Sequence, residues 1–241
     1  MKINSFLVIG SKGFIGSHLV RFLQERGYRV WGADVVVDYV ETDRYFLIDS
    51  TNANFHTPFE TQTFDVCINC SGAASVPDSF DNPVRDFALN CANVYSMLDA
   101  IRLLQPECRF INLSSAAVYG NPDTLPIREG SSLGPVSPYG YHKLYSEKVC
   151  KEFNAFFGTQ TCSLRIFSAF GDGLRKQLFW DLYQRTRTES SLKLYGTGKE
   201  SRDFIYIGDL VRAVESVAQR ASFSGEAINV GNGKEVLIEE A

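Results

Sequence analysis

Phe6-Leu-Val-Ile-Gly10-Ser-Lys-Gly13-Phe-Ile-Gly16 is an apolar run of strand length that breaks into three glycines spaced by threes. This order predicts a buried parallel strand that turns sharply into a helix. Gly10 permits the tight turn, Gly13 lets the backbone approach an anion, and Gly16 lets the helix pack closely on the strand. Because amide groups at a helix N-terminus attract anions, the stretch predicts a pyrophosphate site, although a purely structural turn is the alternative.

A second strand-like segment ends at an acidic residue. Residues 17–26 have apolar side chains at helical spacing, Gly27 ends that helix, and residues 28–33 read as a strand that closes on Asp34. A carboxylate one strand beyond the glycines can hydrogen-bond the two ribose hydroxyls of an adenosine. The two signals together predict a dinucleotide site.

Composition excludes several classes of function. The chain has 241 residues, 44% of them hydrophobic, which is enough for one sizeable core. A net charge of -4 without a basic block argues against a nucleic-acid partner. The longest apolar runs are strand-sized and the first four residues lack a signal-peptide pattern. We therefore expect a cytoplasmic protein with no membrane span.

The six cysteines are expected to be small buried hydrophobic residues. Cys67 and Cys70 form a Cys-x-x-Cys pair on one predicted strand, but no second pair completes a zinc site. The three histidines, His18, His56 and His142, have no ligand spacing and are assigned to surface or packing roles. The sequence therefore predicts no metal.

Beyond Asp34 the chain alternates strand-like and helical segments, which predicts a doubly wound parallel sheet of the Rossmann type, an α/β fold with helices on both faces. The further predicted strands cover residues 44–48, 65–69, 108–113, 161–166, 192–195, 204–207 and 227–231. The predicted helices cover residues 83–104, 139–157, 176–188 and 208–220, and residues 236–240 have helical character. Residues 1–166 are expected to form most of a dinucleotide-binding domain. Residues 167–241 are expected to form a smaller substrate-binding region whose helix 208–220 returns to the core.

Tyr139-Gly-Tyr-His-Lys143 places a phenol and an ammonium about one turn apart on one helix face. A tyrosine that acts as a base near neutral pH needs its pKa lowered from about 10 to about 7, which takes roughly 4 kcal/mol. A cation at about 5 Å and an effective dielectric constant of about 20 supplies about 3 kcal/mol. We therefore expect Lys143 to lower the pKa of Tyr139, and a positively charged nicotinamide to supply the rest. A solvated helix face is the alternative for this pair by itself.

Ser115 makes that alternative weaker. It follows the predicted strand 108–113, so its hydroxyl is expected at the same sheet edge as Tyr139. There it can hydrogen-bond the substrate oxygen on which Tyr139 acts. Hydrolysis is disfavoured, because no Gly-x-Ser-x-Gly surrounds Ser115 and no histidine is placed to activate it.

Together these motifs resemble the extended short-chain dehydrogenases/reductases of the NAD-dependent epimerase/dehydratase family, which act on nucleotide sugars. The resemblance runs from the first strand to Gly231 and rests on the glycine-rich stretch, Asp34, Asp49, Ser71-Gly-Ala73, Ser115-Ala-Ala-Val-Tyr-Gly120, Ser137-Pro-Tyr139-x-x-x-Lys143 and Arg202-Asp-Phe-Ile-Tyr-Ile-x-Asp209. It implies NAD as cofactor and an epimerase that inverts a sugar carbon, C4, through a transient keto intermediate. A nucleotide-4-keto-sugar reductase using NAD(P)H and a non-catalytic nucleotide-binding relative are the alternatives. The absence of an arginine or lysine directly after Asp34 favours NAD over NADP.

The resemblance also implies a role for each matching residue. Ser115, Tyr139 and Lys143 would be catalytic. The cofactor would contact Gly10, Gly13, Phe14, Ile15, Gly16, Asp34, Asp49, Ser50, Ser71, Gly72, Ala73, Asn90, Tyr139, Lys143 and Phe167. The substrate would contact Ser75, Ser115, Ser168 and Arg202. Arg202 would grip the diphosphate of the sugar nucleotide, with an ion pair to Asp203 as its alternative role.

Three departures from the family pattern matter. Dehydratases of the family carry an Asp-Glu pair directly after the catalytic hydroxyl residue, and Ala116 and Ala117 stand there in this chain, which disfavours elimination. Ser168 stands where the family often has Asn. Family members usually continue well past the last strand, so we expect part of the substrate-binding region to be missing from this sequence. The resemblance further implies a homodimer formed through helices 83–104 and 139–157.

Overall fold

The structure, a computed structural model, describes residues 3–40, 43–189, 191 and 196–240. The strands are β1 (Ser5–Ile9), β2 (Arg29–Asp34), β3 (Tyr45–Leu47), β4 (Val66–Asn69), β5 (Arg109–Ser115), β6 (Thr161–Ile166), β7 (Ser168–Phe170), β8 (Ser201–Arg202), β9 (Phe204–Tyr206), β10 (Ser224–Val230) and β11 (Val236–Leu237). The helices are α1 (Phe14–Glu25), α2 (His56–Thr61), α3 (Val76–Asp81), α4 (Pro83–Phe87), α5 (Asn93–Leu104), α6 (Pro138–Phe157), α7 (Gln177–Thr186) and α8 (Ile207–Arg220). A π-helical turn, Ala88–Ala92, joins α4 to α5, and 3₁₀ turns cover Ala116–Tyr119 and Ile238–Glu240.

The main sheet has seven strands in the order β10-β6-β5-β4-β1-β2-β3, and every neighbouring pair is parallel. Strand order reverses at β1, which pairs with β2 on one side and β4 on the other. Open α/β sheets bind ligands at the carboxyl edge beside such a reversal. The predicted doubly wound α/β fold is therefore confirmed, and its expected ligand edge lies where β1, β4 and β5 end.

Apolar side chains cover both faces of this sheet. Alternate residues of β1 enter different cores: Phe6 and Val8 pack with α1 and α8, whereas Leu7 and Ile9 pack with α2, α5 and α6. All four are essentially inaccessible to solvent. Since side chains alternate across a strand, a strand with no polar face requires helices above and below it.

The turn from β1 into α1 explains two of the three glycines. Gly10 has φ of +82°, and a Cβ there would lie 2.6 Å from the backbone nitrogen of Ser71. A Cβ at Gly16 would lie 2.1 Å from the carbonyl oxygen of Gly10. At Gly13 the nearest atom to a built Cβ is the same oxygen, at 3.3 Å. Close backbone packing thus requires glycine at positions 10 and 16. At Gly13 the contact is looser, and the absence of a side chain there leaves the turn accessible to a ligand.

The helices and strands differ from the sequence prediction at several points. Strands β1 to β6 lie within two residues of their predicted bounds, and α6 begins and ends within one. The single helix predicted over residues 83–104 is wrong in detail, because the π-helical turn interrupts it. Residues 236–240, expected to be helical, begin as β11 and end in a 3₁₀ turn. The short elements α2, α3 and β7 were not predicted, since three to six residues do not display a period.

The segment between β6 and β10 carries the smaller elements. β7 pairs in parallel with β9, and β8 pairs in antiparallel with β11. Leu210, Val211 and Val214 of α8 pack in the core cluster that contains Phe6. The predicted strand 192–195 lies outside the described residues. The boundary drawn at residue 166 stays a prediction.

Two further observations concern membrane spans and cysteines. Throughout the described ranges, we find no helix that combines the length and the apolarity needed to cross a membrane. All six cysteines are free thiols, five of them buried and Cys70 partly buried. Burial raises the pKa of each of these thiols, as expected for packed apolar residues.

We expect Gly16→Ala to destabilise the protein by about 3 kcal/mol, since the new methyl group meets backbone that cannot easily move. In a chain of this size that loss corresponds to a fall in Tm of roughly 6–12 °C, measurable by thermal unfolding without cofactor. Gly130→Ala is the control, because a Cβ at Gly130 has no heavy atom within 4 Å among the described residues. Equal Tm values for the two variants would contradict the packing argument.

Candidate active site

The N-terminus of α1 faces the glycine-rich turn without a side-chain cap. Gly13 is the N-cap residue, no side chain caps this helix, and its first turn contains no acidic residue. The first amide groups of a helix have no partner within the helix and carry partial positive charge. An anionic group is therefore favoured over Gly10, Gly13 and Gly16, with Phe14 and Ile15 supplying the first backbone amides.

Asp34 lies at the end of β2 beside this turn. Its Oδ2 accepts a hydrogen bond from the backbone amide of Lys12 at 2.8 Å, and its Oδ1 accepts one from the amide of Val35 at 2.7 Å. These bonds fix the carboxylate and leave further lone pairs for a ligand. The ammonium of Lys12 forms an ion pair with Asp38. Burial, followed by the charges of Asp34 and Asp38, raises the pKa of Tyr45 to about 12.

Asp49 and Ser50 follow β3 and are exposed. The carboxylate of Asp49 accepts hydrogen bonds from the Thr51 side chain at 2.7 Å and from the Thr51 amide at 2.8 Å. These bonds lower the pKa of Asp49. The pair is available to a ligand from solvent, and its proposed contact with adenine stays a prediction.

The segment after β4 lies against Asn90. Asn69 Oδ1 accepts hydrogen bonds from Ser71, from its amide at 3.0 Å and from its hydroxyl at 2.6 Å. Gly72 has φ of +115°, and a Cβ there would lie 2.4 Å from Oδ1 of Asn90. Gly72 thus lies beside Asn90, another predicted cofactor contact, and Ser71 and Ala73 flank Gly72 in the chain.

Asn90 is a buried polar residue on the π-helical turn. It is 1% exposed, yet neither its Oδ1 nor its Nδ2 has a hydrogen-bond partner among the described residues. An unsatisfied buried amide is costly and calls for an explanation, and π-helical turns are frequent at functional sites. The amide of Asn90 is therefore available to hydrogen-bond a bound ligand.

The structure brings Ser115 and Tyr139 together. Ser115 ends β5, and its Oγ accepts a hydrogen bond from the amide of Ala117 at 3.1 Å. Tyr139 lies in the first turn of α6, which Ser137 caps by accepting the Gly140 amide at 3.1 Å. Tyr139 is 9% exposed, and the Ser115 hydroxyl lies close enough to its phenol to oppose the rise in pKa that burial causes. The two hydroxyl groups can therefore hold one substrate oxygen.

Lys143 lies one turn beyond Tyr139 and is buried. Its Nζ donates a hydrogen bond to the carbonyl oxygen of Leu113 at 2.9 Å and lies 5.9 Å from the centroid of the Tyr139 ring. Burial lowers the pKa of Lys143 to about 8, against the opposing effects of Asp86, Cys70 and Glu147. The pKa of this amine thus lies close to physiological pH.

The expected lowering of the pKa of Tyr139 is wrong for the protein alone. Burial is the largest effect and raises that pKa, the Ser115 hydrogen bond lowers it, and the charge of Asp86 raises it. The Coulomb estimate counted the attraction of Lys143 but omitted the cost of burying a phenolate. Additional positive charge beside the ring, as on an oxidised nicotinamide, is needed to make Tyr139 a base near neutral pH.

The residues predicted to contact substrate lie around the same edge of the sheet. Ser75 caps α3 by accepting the Asp78 amide at 3.3 Å, and Ser168 begins β7. Phe167, predicted to contact the cofactor, packs against the cluster of Val118, Tyr119 and Leu144. Each of Ser75, Phe167 and Ser168 is partly exposed.

Arg202 is exposed on β8. Its Nη1 donates a hydrogen bond to the carbonyl of Ser201 at 2.8 Å. The carboxylate of Asp203 accepts the amides of Asn232 at 2.7 Å and Gly233 at 2.8 Å. Within the described residues no ion pair joins Arg202 to Asp203, so the alternative role for Arg202 is not supported.

Sequence reasoning missed Asp86 and gave His142 an ordinary role. Asp86 is buried on α4, its Oδ1 lies 2.5 Å from Nδ1 of His142, and its charge acts on both Tyr139 and Lys143. One signal was available in the sequence. Asp86 and Asn90 are four residues apart, which places a carboxylate on the same helix face as a predicted cofactor contact.

Comparison with known proteins identifies the family. The sequence model of the NAD dependent epimerase/dehydratase family matches residues 6–231. The chain belongs to this family. The predicted resemblance and the predicted NAD cofactor are thereby confirmed.

Relatives within the family include a putative UDP-glucose 4-epimerase of Methanocaldococcus jannaschii, 27% identical over 97% of this chain and 79% of that protein. Two solved structures have a TM-score of 0.86 and cover 98% of this chain and 80% of theirs. One is the UDP-glucuronic acid 4-epimerase from Bacillus cereus in complex with UDP-glucuronic acid and NAD, at 25% identity. The other is the UDP-glucose 4-epimerase from Brucella ovis in complex with NAD, at 28% identity.

The described residues fit the cofactor of the NAD-dependent epimerase/dehydratase family. The uncapped α1 suits a pyrophosphate, the fixed carboxylate of Asp34 suits ribose hydroxyls, and the unpartnered amide of Asn90 suits a polar group near Tyr139. Each feature is a hydrogen-bonding group that the protein itself leaves available.

We expect Asn90→Leu to weaken NAD binding about tenfold, the equivalent of about 1.4 kcal/mol, while the Tm of NAD-free protein stays the same or rises. The reason is that Asn90 makes no hydrogen bond within the described residues. Asn112→Leu is the matched control, since Asn112 is equally buried but donates to Ser146 Oγ at 3.0 Å and accepts from Asn69 at 3.2 Å. Isothermal titration with NAD and thermal unfolding measure both effects, and a large loss of Tm in Asn90→Leu would contradict them.

Proposed function

We propose that this protein is an NAD-dependent epimerase that inverts C4 of a nucleotide sugar through a transient keto intermediate. The observation that carries the proposal is the contact between Ser115 and Tyr139, with Lys143 one turn away, at the carboxyl edge of the sheet. The 4-epimerase relatives support the reaction, and the sugars in their names, UDP-glucose and UDP-glucuronic acid, support a UDP-sugar as substrate.

Tyr139 is the proposed acid and base. Its phenolate oxygen takes the proton from the sugar hydroxyl during oxidation and returns it during reduction, while Ser115 donates a hydrogen bond to the same sugar oxygen. Bound NAD supplies reversible hydride acceptance. The ammonium of Lys143 stabilises the phenolate, and its bond to the Leu113 carbonyl keeps the amine in place. Ser115 and Tyr139, held on β5 and α6, fix the oxygen in line for the transfer.

The substrate side is proposed to use Ser75, Ser168 and Arg202. A planar guanidinium that is always charged suits a diphosphate, and Arg202 makes no ion pair within the described residues. Ala116 and Ala117 follow Ser115 and contain no acid, so the chain lacks the acid pair with which family dehydratases eliminate water. These two positions support epimerisation over elimination.

The protein is further proposed to be a cytoplasmic enzyme of carbohydrate metabolism. Its six free thiols fit a reducing compartment. A homodimer is proposed through α4, α5 and α6, whose exposed apolar side chains support a protein interface. These are Val84, Phe87, Tyr95, Leu103, Leu104, Tyr141, Tyr145, Phe156 and Phe157.

The first test is turnover of UDP-glucose and UDP-glucuronic acid by protein loaded with NAD, followed by chromatography of the products. We expect the C4 epimer to form with no net production or use of NADH. Failure to epimerise any UDP-sugar while NADH is consumed once for each keto sugar reduced would identify a reductase instead. NAD binding with no turnover of either kind would identify a non-catalytic relative.

Tyr139→Phe is expected to lower kcat by about a thousandfold, because the proton-transferring group is lost. NAD binding, followed by titration, should change little. Tyr141→Phe is the matched control, since Tyr141 is on the same helix but half exposed. Comparable activity of the Tyr139 and Tyr141 variants would refute the assigned base.

The dimer has its own test. Light scattering should give twice the mass of one chain for the unchanged protein, and Tyr145→Glu should reduce this to one chain by placing a charge in the proposed interface. Tyr39→Glu is the control, because Tyr39 is exposed but lies outside α4, α5 and α6. A monomer before any substitution would refute the proposal.

A further inference from the structure

Asp86 and His142 form a buried polar pair between α4 and α6. Nδ1 of His142 lies 2.5 Å from Oδ1 of Asp86, and their side chains are 12% and 2% exposed. Oδ2 of Asp86 is buried and has no hydrogen-bond partner among the described residues. A carboxylate buried in this way is costly, and the assigned catalytic and binding roles do not account for it.

The pair adjoins the catalytic residues through both helices. His142 directly precedes Lys143 and lies three residues beyond Tyr139 on α6. Asp86 lies four residues before Asn90, and α4 and the π-helical turn both pack on α6. His142 also packs edge-on against Phe87, with ring centroids 5.4 Å apart, which fixes its ring. The position of the Asp86 carboxylate is thus set by His142.

Asp86 differs from the other acidic group near Lys143, because its partner is a histidine rather than a permanently charged arginine. The titratable groups that act on Lys143 are Asp86, Cys70 and Glu147. The titratable group that acts on Tyr139 is Asp86, beside the uncharged Ser115 hydroxyl. Glu147 forms an ion pair with Arg165 at 2.8 Å, which balances its charge. Burial raises the pKa of Cys70 to about 12, so that thiol is neutral at physiological pH.

We propose that Asp86, held in place by His142, is a positioning residue that keeps Lys143 an ammonium and sets the pH range in which Tyr139 and Lys143 work as a pair. This inference rests on the proposed function, because it assigns the pH dependence of that same site. Burial lowers the pKa of Lys143 to about 8, and the negative charge of Asp86 opposes that fall. The same charge raises the pKa of Tyr139.

The sign of the effect follows from these two directions. The active form carries one proton on the pair, held by Lys143 rather than Tyr139, so the acid limb of kcat/KM reports uptake of a second proton and the alkaline limb reports loss of the last one. Removing the charge of Asp86 lowers both pKa values, so both limbs move to lower pH. Since the two groups interact, the limbs belong to the pair rather than to either residue. A residue with a purely structural role would change stability or kcat without moving the limbs.

The test is the pH profile of kcat/KM for UDP-glucose epimerisation by NAD-loaded Asp86→Asn, which keeps the shape of the side chain. We expect both limbs to move down by about one pH unit. Asp86→Glu, which keeps the charge, should return them toward the unchanged protein even if kcat is lower. Asp99→Asn is the matched control, since Asp99 lies on α5 in a partly exposed pair with Arg102 and should leave the profile unchanged. Unmoved limbs, or limbs moving in opposite directions, would overturn the proposal.

Two measurements keep the test decisive if Asp86→Asn fails to fold or the protein lacks epimerase activity. His142→Phe removes the side chain that holds the Asp86 carboxylate in place, so the carboxylate is no longer fixed near Lys143 and both limbs should move in the same direction as for Asp86→Asn. His142→Gln, which keeps a donor, should move them less. Without any turnover, ultraviolet titration of the phenolate, taken as the difference from Tyr139→Phe, reports Tyr139 directly. If the unchanged protein shows no turnover, an acid shift of that titration in an Asp86 or His142 variant defeats only the proposed function, whereas an unmoved titration defeats the role of Asp86.

Discussion

The buried amine of Lys143 is the constraint on which the candidate site depends. Its hydrogen bond to the Leu113 carbonyl joins α6 to β5 two residues before Ser115. An amine without a partner in the interior would be costly, so this bond favours one placement of α6 on the sheet. Because Tyr139 lies one turn before Lys143, the same bond brings the phenol to the strand end where Ser115 lies.

A second buried pair, Glu147 and Arg165, also holds α6 on the sheet. Glu147, one turn beyond Lys143, accepts hydrogen bonds from Ser114 Oγ at 2.6 Å and from Arg165 at 2.8 Å. Arg165 also donates to the hydroxyl of Tyr119 at 2.7 Å and to the carbonyl of Glu129 at 3.0 Å. These bonds fix α6 to β5 and β6, and they connect β6 to the loop that precedes α6. Removing one partner of a buried ion pair leaves an uncompensated charge in the interior. The network therefore strongly favours one position of α6 along the sheet.

Local sequence patterns predicted most of the fold and the catalytic candidates, but not the environment that sets their pKa values. The glycine spacing and the apolar runs of β1, β2 and β4 could be predicted because the tight turn and the buried strands constrain residues that are close together in the sequence. The pattern Tyr139 to Lys143 likewise identified residues that the structure brings to Ser115. What escaped depends on contacts distant in sequence: Asp86 meets His142 across 56 residues, and the pKa of Tyr139 is governed by burial that no spacing reveals. The π-helical turn at Asn90 escaped because its hydrogen bonds span only one residue more than those of α4 and α5, a change that no side-chain pattern in the sequence marks.

The order of β6 and β10 has a consequence for how such a chain can change. These strands are neighbours in the sheet, yet β7, β8, β9, α7 and α8 lie between them in sequence. The segments that carry Ser168 and Arg202 are thus a single insertion between two adjacent parallel strands. Exchanging residues 167–206 for the matching segment of a relative would keep the strand order but would replace Ile205, which packs in the core cluster that contains Phe6. A graft of the proposed substrate contacts onto this scaffold therefore has to keep an apolar residue at position 205.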